Sequence, residues 1–297
     1  MKVAFPVQIR PIILLAIGGA CLGSFPPLSK LGLQNGIPPI SYMFYAAAGA
    51  GLALLLWTSL FDKAPLLSFW FLRYYVIAAL TTFVVPSLAT VIIVGEIGAG
   101  LVAISFTLVP VLTYIFAVLL KLERFARLRA LGVIFGLAGA IIIYFPQTNT
   151  EGSSVSYWLI AALIIPLSLA TGGIFRTMAW PETAAPMQLA AGMLITSALL
   201  LFPAVLWAGE AYWPFRFQTA TDWIILFQIL TAFLSYLILF EIQKSQGVVF
   251  QSLLGYVSTM TGVFVGYFLY KEHFPLIVWI ALLLMLLGMA FVNYRRQ

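Results

Sequence analysis

Apolar residues in this sequence run in long blocks, without the strict alternation of a half-buried strand, and short polar or turn-forming clusters divide the blocks. A block of about 20 residues matches one helical crossing of a hydrocarbon layer roughly 30 Å thick. Ten such blocks fall near 11–31, 39–60, 71–94, 98–120, 127–145, 156–177, 187–208, 221–242, 248–270 and 275–293. The breaks carry turn chemistry or charge, as in Gln34-Asn35-Gly36, Asp62-Lys63, Gln147-Thr148-Asn149 and Pro181-Glu182. The pattern predicts an all-α, polytopic membrane protein with ten transmembrane helices and short loops.

Composition strengthens that reading. Hydrophobic residues make up 63% of the chain and charged residues 8%, whereas a soluble domain carries about a quarter of its residues charged. The lipid bilayer is therefore the expected environment. One cysteine, Cys21, excludes a disulfide framework. Apolar sequence continues past it through Leu22, Phe25 and Leu28, so the first block is expected to be a retained span and not a cleaved leader.

The net charge of +6 is explained by topology and calls for no nucleic-acid partner. With the N-terminus inside, the inner face collects Lys2, Arg10, Lys63, Arg73, Lys121, Arg124, Arg127, Arg129, Arg176, Lys244, Arg295 and Arg296. The outer face receives only Lys30, Arg216 and Lys271. This is the asymmetry of the positive-inside rule. It predicts a multi-pass protein of the bacterial plasma (inner) membrane with both termini cytoplasmic.

The chain also repeats itself. Leu119-Leu120-Lys121-Leu122-Glu123-Arg124-Phe125 resembles Phe268-Leu269-Tyr270-Lys271-Glu272-His273-Phe274 at an offset of 149 residues. The same offset pairs Gly98 with Gly247, Tyr74 with Trp223 and Gly139 with Gly288. Residues 1–147 and 148–297 are thus expected to be two five-helix repeats. An odd number of crossings turns the second copy upside down. Charge agrees, because Lys121, Arg124, Arg127 and Arg129 become Tyr270, His273, Leu276 and Val278 in the second copy. Inverted repeats around a site near the midplane are an architecture of secondary transporters.

At this point the sequence resembles a known family. The stretch from Gly98 through Pro110, the Leu119–Phe125 connector, Leu131-Gly132-Val133 and Leu137-Ala138-Gly139-Ala140 are similar to the EamA-like branch of the drug/metabolite transporter superfamily. The opening span with Gly23-Ser24 and Lys30, and the repeated Tyr270-Lys271-Glu272 and Leu287-Gly288, extend the resemblance over essentially the whole chain. It implies ten helices in two inverted halves, a cavity lined by spans 1, 3, 4, 6, 8 and 9, and export, sometimes uptake, of amino acids and related metabolites. Two departures stand out: Thr259 occupies the place matching Pro110, and span 6 carries its own Pro166.

Polar side chains within a span should face protein or a cavity and not lipid. In span 9, Gln251, Gly255, Ser258, Gly262 and Gly266 recur every three or four residues and share one face. Ser252, Thr259 and Thr261 flank that face, with Tyr256 and Tyr267 further round. Span 8 contributes Gln228, Thr231, Ser235 and Tyr236. Spans 3 and 4 contribute Thr81, Thr82 and Ser87 around Pro86, and Ser105, Thr107 and Tyr114 around Pro110. Span 1 has Ser24, and span 6 has Ser168 and Thr171 before Gly172-Gly173. Each is read as cavity lining or, alternatively, as the small and hydroxyl residues of close helix packing.

Charged residues are read at the span ends. Lys30 and Arg176 either touch a substrate carboxylate on entry and exit or snorkel to the interface. Glu96 is a proton or amine site or an interfacial carboxylate. Glu123 and Glu272 are read as caps of the helices that follow them. No charge is placed at a midplane, so the expected solute is zwitterionic or amphipathic and of amino-acid size. No metal site or cofactor motif is recognised, and no ATP-binding loop occurs.

The function expected is secondary transport, since the sequence shows no HExxH or paired-carboxylate motif that catalysis would need. Export by alternating access is set beside two alternatives, an uptake permease for a metabolite or vitamin and an intramembrane enzyme. Gly132 and Gly136 form a small-xxx-small pair that serves either a homodimer or packing within a monomer.

Overall fold

A computed structural model describes residues 9–61, 68–148, 153–210, 212 and 220–293, and among them every regular element is helical. The predicted breaks at Asp62-Lys63 and Asn149, and the basic residues Lys2, Lys63, Arg216, Arg295 and Arg296, lie outside the described residues. In chain order the helices are α1 (Ile9–Gly23), α2 (Phe25–Gln34), α3 (Pro39–Phe61) and α4 (Phe69–Ala79), then a π-helical turn (Leu80–Val84) leading into α5 (Val85–Ile97). They continue as α6 (Ala99–Ser105), α7 (Leu108–Leu119), α8 (Arg127–Thr148), α9 (Ser153–Ala161) and α10 (Ile164–Met178). The last five are α11 (Pro186–Trp207), α12 (Ala220–Gln246), α13 (Val248–Ser252), α14 (Leu254–Tyr270) and α15 (Leu276–Asn293).

Among the described residues, eight stretches are long and apolar enough to cross a bilayer: Arg10–Gln34, Pro39–Leu60, Phe69–Ile97, Ala99–Leu119, Tyr157–Met178, Pro186–Trp207, Thr221–Gln246 and Val248–Tyr270. They coincide with predicted spans 1–4 and 6–9. Predicted spans 5 and 10 are helical as α8 and α15, and the apolar run of α15, Leu276–Gly288, is shorter than the rest.

Spans 1, 3, 4, 6 and 9 are each interrupted partway. Pro26-Pro27, Pro86, Pro110 and Pro166 each follow an interruption within four residues. A proline has no amide hydrogen for the carbonyl one turn back, so the helical ladder opens there. Side chains repair part of the loss. Ser24, Ser105 and Ser252 each donate at 2.7 Å to the carbonyl three residues earlier. Proline is neither required nor sufficient, since span 9 breaks between Ser252 and Leu254 without one and α11 continues through Pro203.

Packing relates the two repeats. Span 1 packs on span 9 as span 6 packs on span 4, while α3 pairs with α11 and α8 with α15. A two-fold exchange of the repeats generates this set of contacts. Local backbone agrees: α6 and α13 both start at a glycine in the left-handed half of φ space, Gly98 at 85° and Gly247 at 82°. Gly132 and Gly136 are used inside the chain, since a Cβ on Gly288 would lie 2.5 Å from the Gly132 carbonyl and one on Gly136 would strike Tyr256.

Close approach predicts a contrast between two glycines. A Cβ at Gly255 would sit 2.4 Å from the Phe106 carbonyl oxygen, whereas nothing lies within 4 Å at Gly95. Gly255→Ala should destabilise by about 1–3 kcal/mol, the usual cost of overpacking. Gly95→Ala should be neutral or stabilising, because alanine is the better helix former by about 1 kcal/mol. Thermal unfolding of the purified protein measures both, and equal melting temperatures would contradict the packing described.

Candidate functional site

The interruption in span 3 is where the polar interior begins. The π-helical turn directs the Val85 amide to the Leu80 carbonyl, five residues back. The Thr81 carbonyl loses its usual α-helical donor, and Pro86 supplies no amide to Thr82. Ser168 Oγ of α10 donates to the Thr81 carbonyl at 2.8 Å, and the Tyr236 hydroxyl of α12 donates to the Thr82 carbonyl at 3.3 Å. Two carbonyls opened by local sequence thus bind span 3 to spans 6 and 8.

Beside this junction lies Arg176 of α10, only 1% exposed. Its Nε donates to Gln243 Oε1 at 2.8 Å, its Nη1 donates to Thr82 Oγ1, and the guanidinium stands 5.2 Å from the centre of the Phe240 ring. Gln243 is itself fixed, its amide nitrogen donating to the Gly173 carbonyl at 2.8 Å and to Thr177 Oγ1 at 2.9 Å. These acceptors are neutral. None of the ion pairs among the described residues involves Arg176. Of the two readings of Arg176 from sequence, snorkelling to the interface is therefore corrected, because the side chain is enclosed by protein. Partners remote in sequence, Thr82 and Gln243, enclose it.

Arg176 lines a cavity bordered by residues of spans 1, 3, 4, 6, 8 and 9. The cavity has a volume of about 60 Å³. The wall combines hydroxyls and amides with apolar surface from Leu22, Phe25, Phe83 and Leu239, and among the described residues it includes no aspartate or glutamate.

Ten of the candidates read from sequence meet here: Thr82, Ser87, Arg176, Gln228, Ser235, Tyr236, Gln251, Ser252, Gly255 and Ser258. Ser258 is fully buried and its hydroxyl has no hydrogen-bond partner. Gln228 accepts from the Tyr42 hydroxyl at 2.9 Å. The other candidates lie elsewhere. Ser24, Thr107, Ser168 and Thr259 are engaged with backbone carbonyls. Tyr114 is fastened to the Ala126 backbone by two hydrogen bonds. Tyr256 is buried against Gly136, and Glu96 is exposed. Sequence reasoning passed over Thr90 and Thr113, which also line the cavity. Spacing could have found them, since Thr82, Pro86 and Thr90 recur every four residues and Val109 and Thr113 follow Phe106 at three and seven.

Lys30 belongs to a second polar cluster. Its ammonium lies 2.8 Å from Glu272 Oε1 and 4.4 Å from the centre of the Tyr270 ring. Glu272 also accepts from the amides of Ala99 at 3.2 Å and Gly100 at 3.1 Å, while the Tyr270 hydroxyl donates to the Pro27 carbonyl at 2.6 Å. Glu272 thus caps α6, not the helix that follows it, and joins the ends of spans 1, 4 and 9. Gly100 and Gly266 leave room, because a Cβ on either would lie within 2.7 Å of Glu272 Oε2. The repeat-related Glu123 pairs instead with Arg129 of α8. Among the described residues, the other ion pairs are Glu123–Arg129 and, at 3.8 Å, Arg10–Glu241, and neither acid of these pairs accepts from the amides that start a span.

Helices of membrane-spanning length around a buried polar cavity define a multi-pass membrane protein built to house a small solute. The EamA-like transporter family matches residues 9–145 and 156–294, one match for each repeat, and the chain belongs to that family. It is a membrane transporter of small solutes and not an enzyme. A solved crystal structure of a protein shares the fold with a TM-score of 0.71 at 14% identity, covering 95% of this chain and 96% of the other. No curated protein matches the sequence.

The ionic closure makes a local prediction. Glu272→Gln keeps the shape and removes the charge, so amide exchange over the start of α6 should rise about tenfold, the equivalent of roughly 1.4 kcal/mol for bonds to a charged acceptor. Glu123→Gln should leave that segment unchanged. Unaltered exchange in Glu272→Gln would show that the cluster does not hold α6.

Proposed function

We propose that the chain is a secondary transporter with ten spans in two inverted halves, carrying a small amphipathic metabolite of amino-acid size by alternating access. In this reading it lies in a bacterial inner membrane with both termini cytoplasmic, and it moves its solute outward, as the family resemblance implies. The solute and the bilayer are its partners.

One observation supports the reading above the others. The cavity is walled by three spans from each repeat, and the Glu272 cluster ties together the ends of three of those same six spans. In this reading, with the termini inside, the cluster lies on the outer side. Among the described residues Glu123 pairs with Arg129 and makes no equivalent bond to the start of a span, so the halves occupy unequal arrangements, and exchange of those arrangements would close the inner end while opening the outer one. Broken spans favour such motion, since a helix whose ladder is already interrupted bends there at least cost. Uptake uses the same geometry with the gradient reversed.

Gln251 and Ser258 provide the test. Gln251→Ala and Ser258→Leu are each expected to reduce solute flux in proteoliposomes at least tenfold, measured across a panel of amino acids, amines, nucleosides and vitamins, with a folded protein by thermal unfolding. Unchanged flux in both would remove the α13–α14 face from the pathway.

A further inference from the structure

Resting on the transporter reading, we infer that the cavity takes a small monocarboxylate, its carboxylate seated on the guanidinium of Arg176 beside Gln251. Three observations point there. First, among the described residues the cavity wall holds one cation and no acid, so an empty cavity carries a net positive charge that a monoanion neutralises. Arginine stays protonated under all physiological conditions, so the charge cannot be relieved by losing a proton.

Second, the guanidinium is only partly used. Thr82 and Gln243 take Nη1 and Nε. Nη2 lies 3.8 Å from the point where a Cβ of Gly173 would stand, and Gln251 Oε1 lies 3.5 Å from that same point. Val248 Cγ2 lies nearest that point, at 3.0 Å, so glycine at 173 lets Arg176 and Gln251 come together against α10, and both side chains line the cavity. Gln251 has no side-chain hydrogen bond within the described chain, and its amide can present a donor to a carboxylate oxygen. Third, Ser258 contributes a buried hydroxyl without a partner to the same cavity. A planar guanidinium fork with neighbouring neutral donors is the arrangement that recognises carboxylates.

The apolar remainder of the wall fits the other end of the solute. Phe25, Phe83 and Leu239 offer no group for a second charge. Ordinary zwitterionic amino acids leave their ammonium facing hydroxyls and rings with no acid to meet it, so they should bind less well than the matching monoanion.

A head-group series tests this directly. Butyrate, butyramide, 2-aminobutyrate and butylamine share a carbon chain and differ in charge. Their binding to the purified full-length protein would be followed by thermal shift in chloride-free buffer. The expected order is butyrate first, 2-aminobutyrate at least several-fold weaker, and butyramide and butylamine at least tenfold weaker. Arg176→Gln should lose butyrate binding at least tenfold, whereas Arg176→Lys should keep the preference for the anion at lower affinity. Butyramide or butylamine binding as well as butyrate, 2-aminobutyrate binding better, or no member binding would overturn the assignment. Should Arg176→Gln not fold, the series on the unmodified protein decides alone. Proteoliposome flux separates the two claims: flux of amines or neutral solutes without butyrate binding would end this inference and leave transport standing, while butyrate binding without any flux would do the reverse.

Discussion

A guanidinium enclosed by apolar helices must have its donors met, because an unsatisfied buried charge costs far more than any single contact returns. In this protein that requirement organises the centre of the bundle. Arg176 draws Thr82 from the π-helical turn of span 3 and Gln243 from α12 onto α10. The same turn, with Pro86 behind it, exposes two carbonyls that recruit Ser168 and Tyr236 from those two neighbours. Three hydrogen bonds thus converge on one irregular stretch of span 3, and the fourth, from Arg176 to Gln243, joins α10 to α12, so that together they fix how spans 3, 6 and 8 meet. Cavity and charge follow from that junction, and π-helical turns are often found at functional sites for this reason.

Around the junction, the breaks in five spans do related work. Backbone that leaves the helical ladder is tolerated at membrane depth where it is buried in protein or lines a cavity. Here the interruptions of spans 1, 3, 4, 6 and 9 all belong to helices that border the cavity, while α3, α8, α11 and α15 run unbroken outside it. The division separates a polar, jointed interior from a continuous frame. α3 with α11 and α8 with α15 are the repeat-related pairs of that frame.

Much of this was legible in the chain. Apolar blocks located eight spans, and the 149-residue offset located the repeat that both halves of the family match confirm. Helical spacing in span 9 brought Gln251, Gly255 and Ser258 to one face, because a period of 3.6 residues is a local property. What was not legible depends on neighbours distant in sequence. Arg176 lies at the end of an apolar run and reads as an interfacial residue until Thr82 and Gln243 are seen to enclose it. Tyr256 follows Gly255 directly, yet its ring is received by Gly136 of another span. Glu272 reads as a cap for the next helix, but the amides it meets belong to α6, 172 residues away for Gly100. Pair contacts across a bundle of similar apolar helices leave no periodic signature.

The central claim is that this cavity is reachable by solute and is positively charged through Arg176. Cys21, the only cysteine in the sequence, lines it and serves as a native probe. The most direct measurement is the rate at which Cys21 in membranes reacts with anionic and cationic methanethiosulfonates, each normalised to its rate with a free thiol. The account predicts that the anionic reagent is favoured and that butyrate slows both reactions. An unreactive Cys21, or a preference for the cationic reagent, would contradict it.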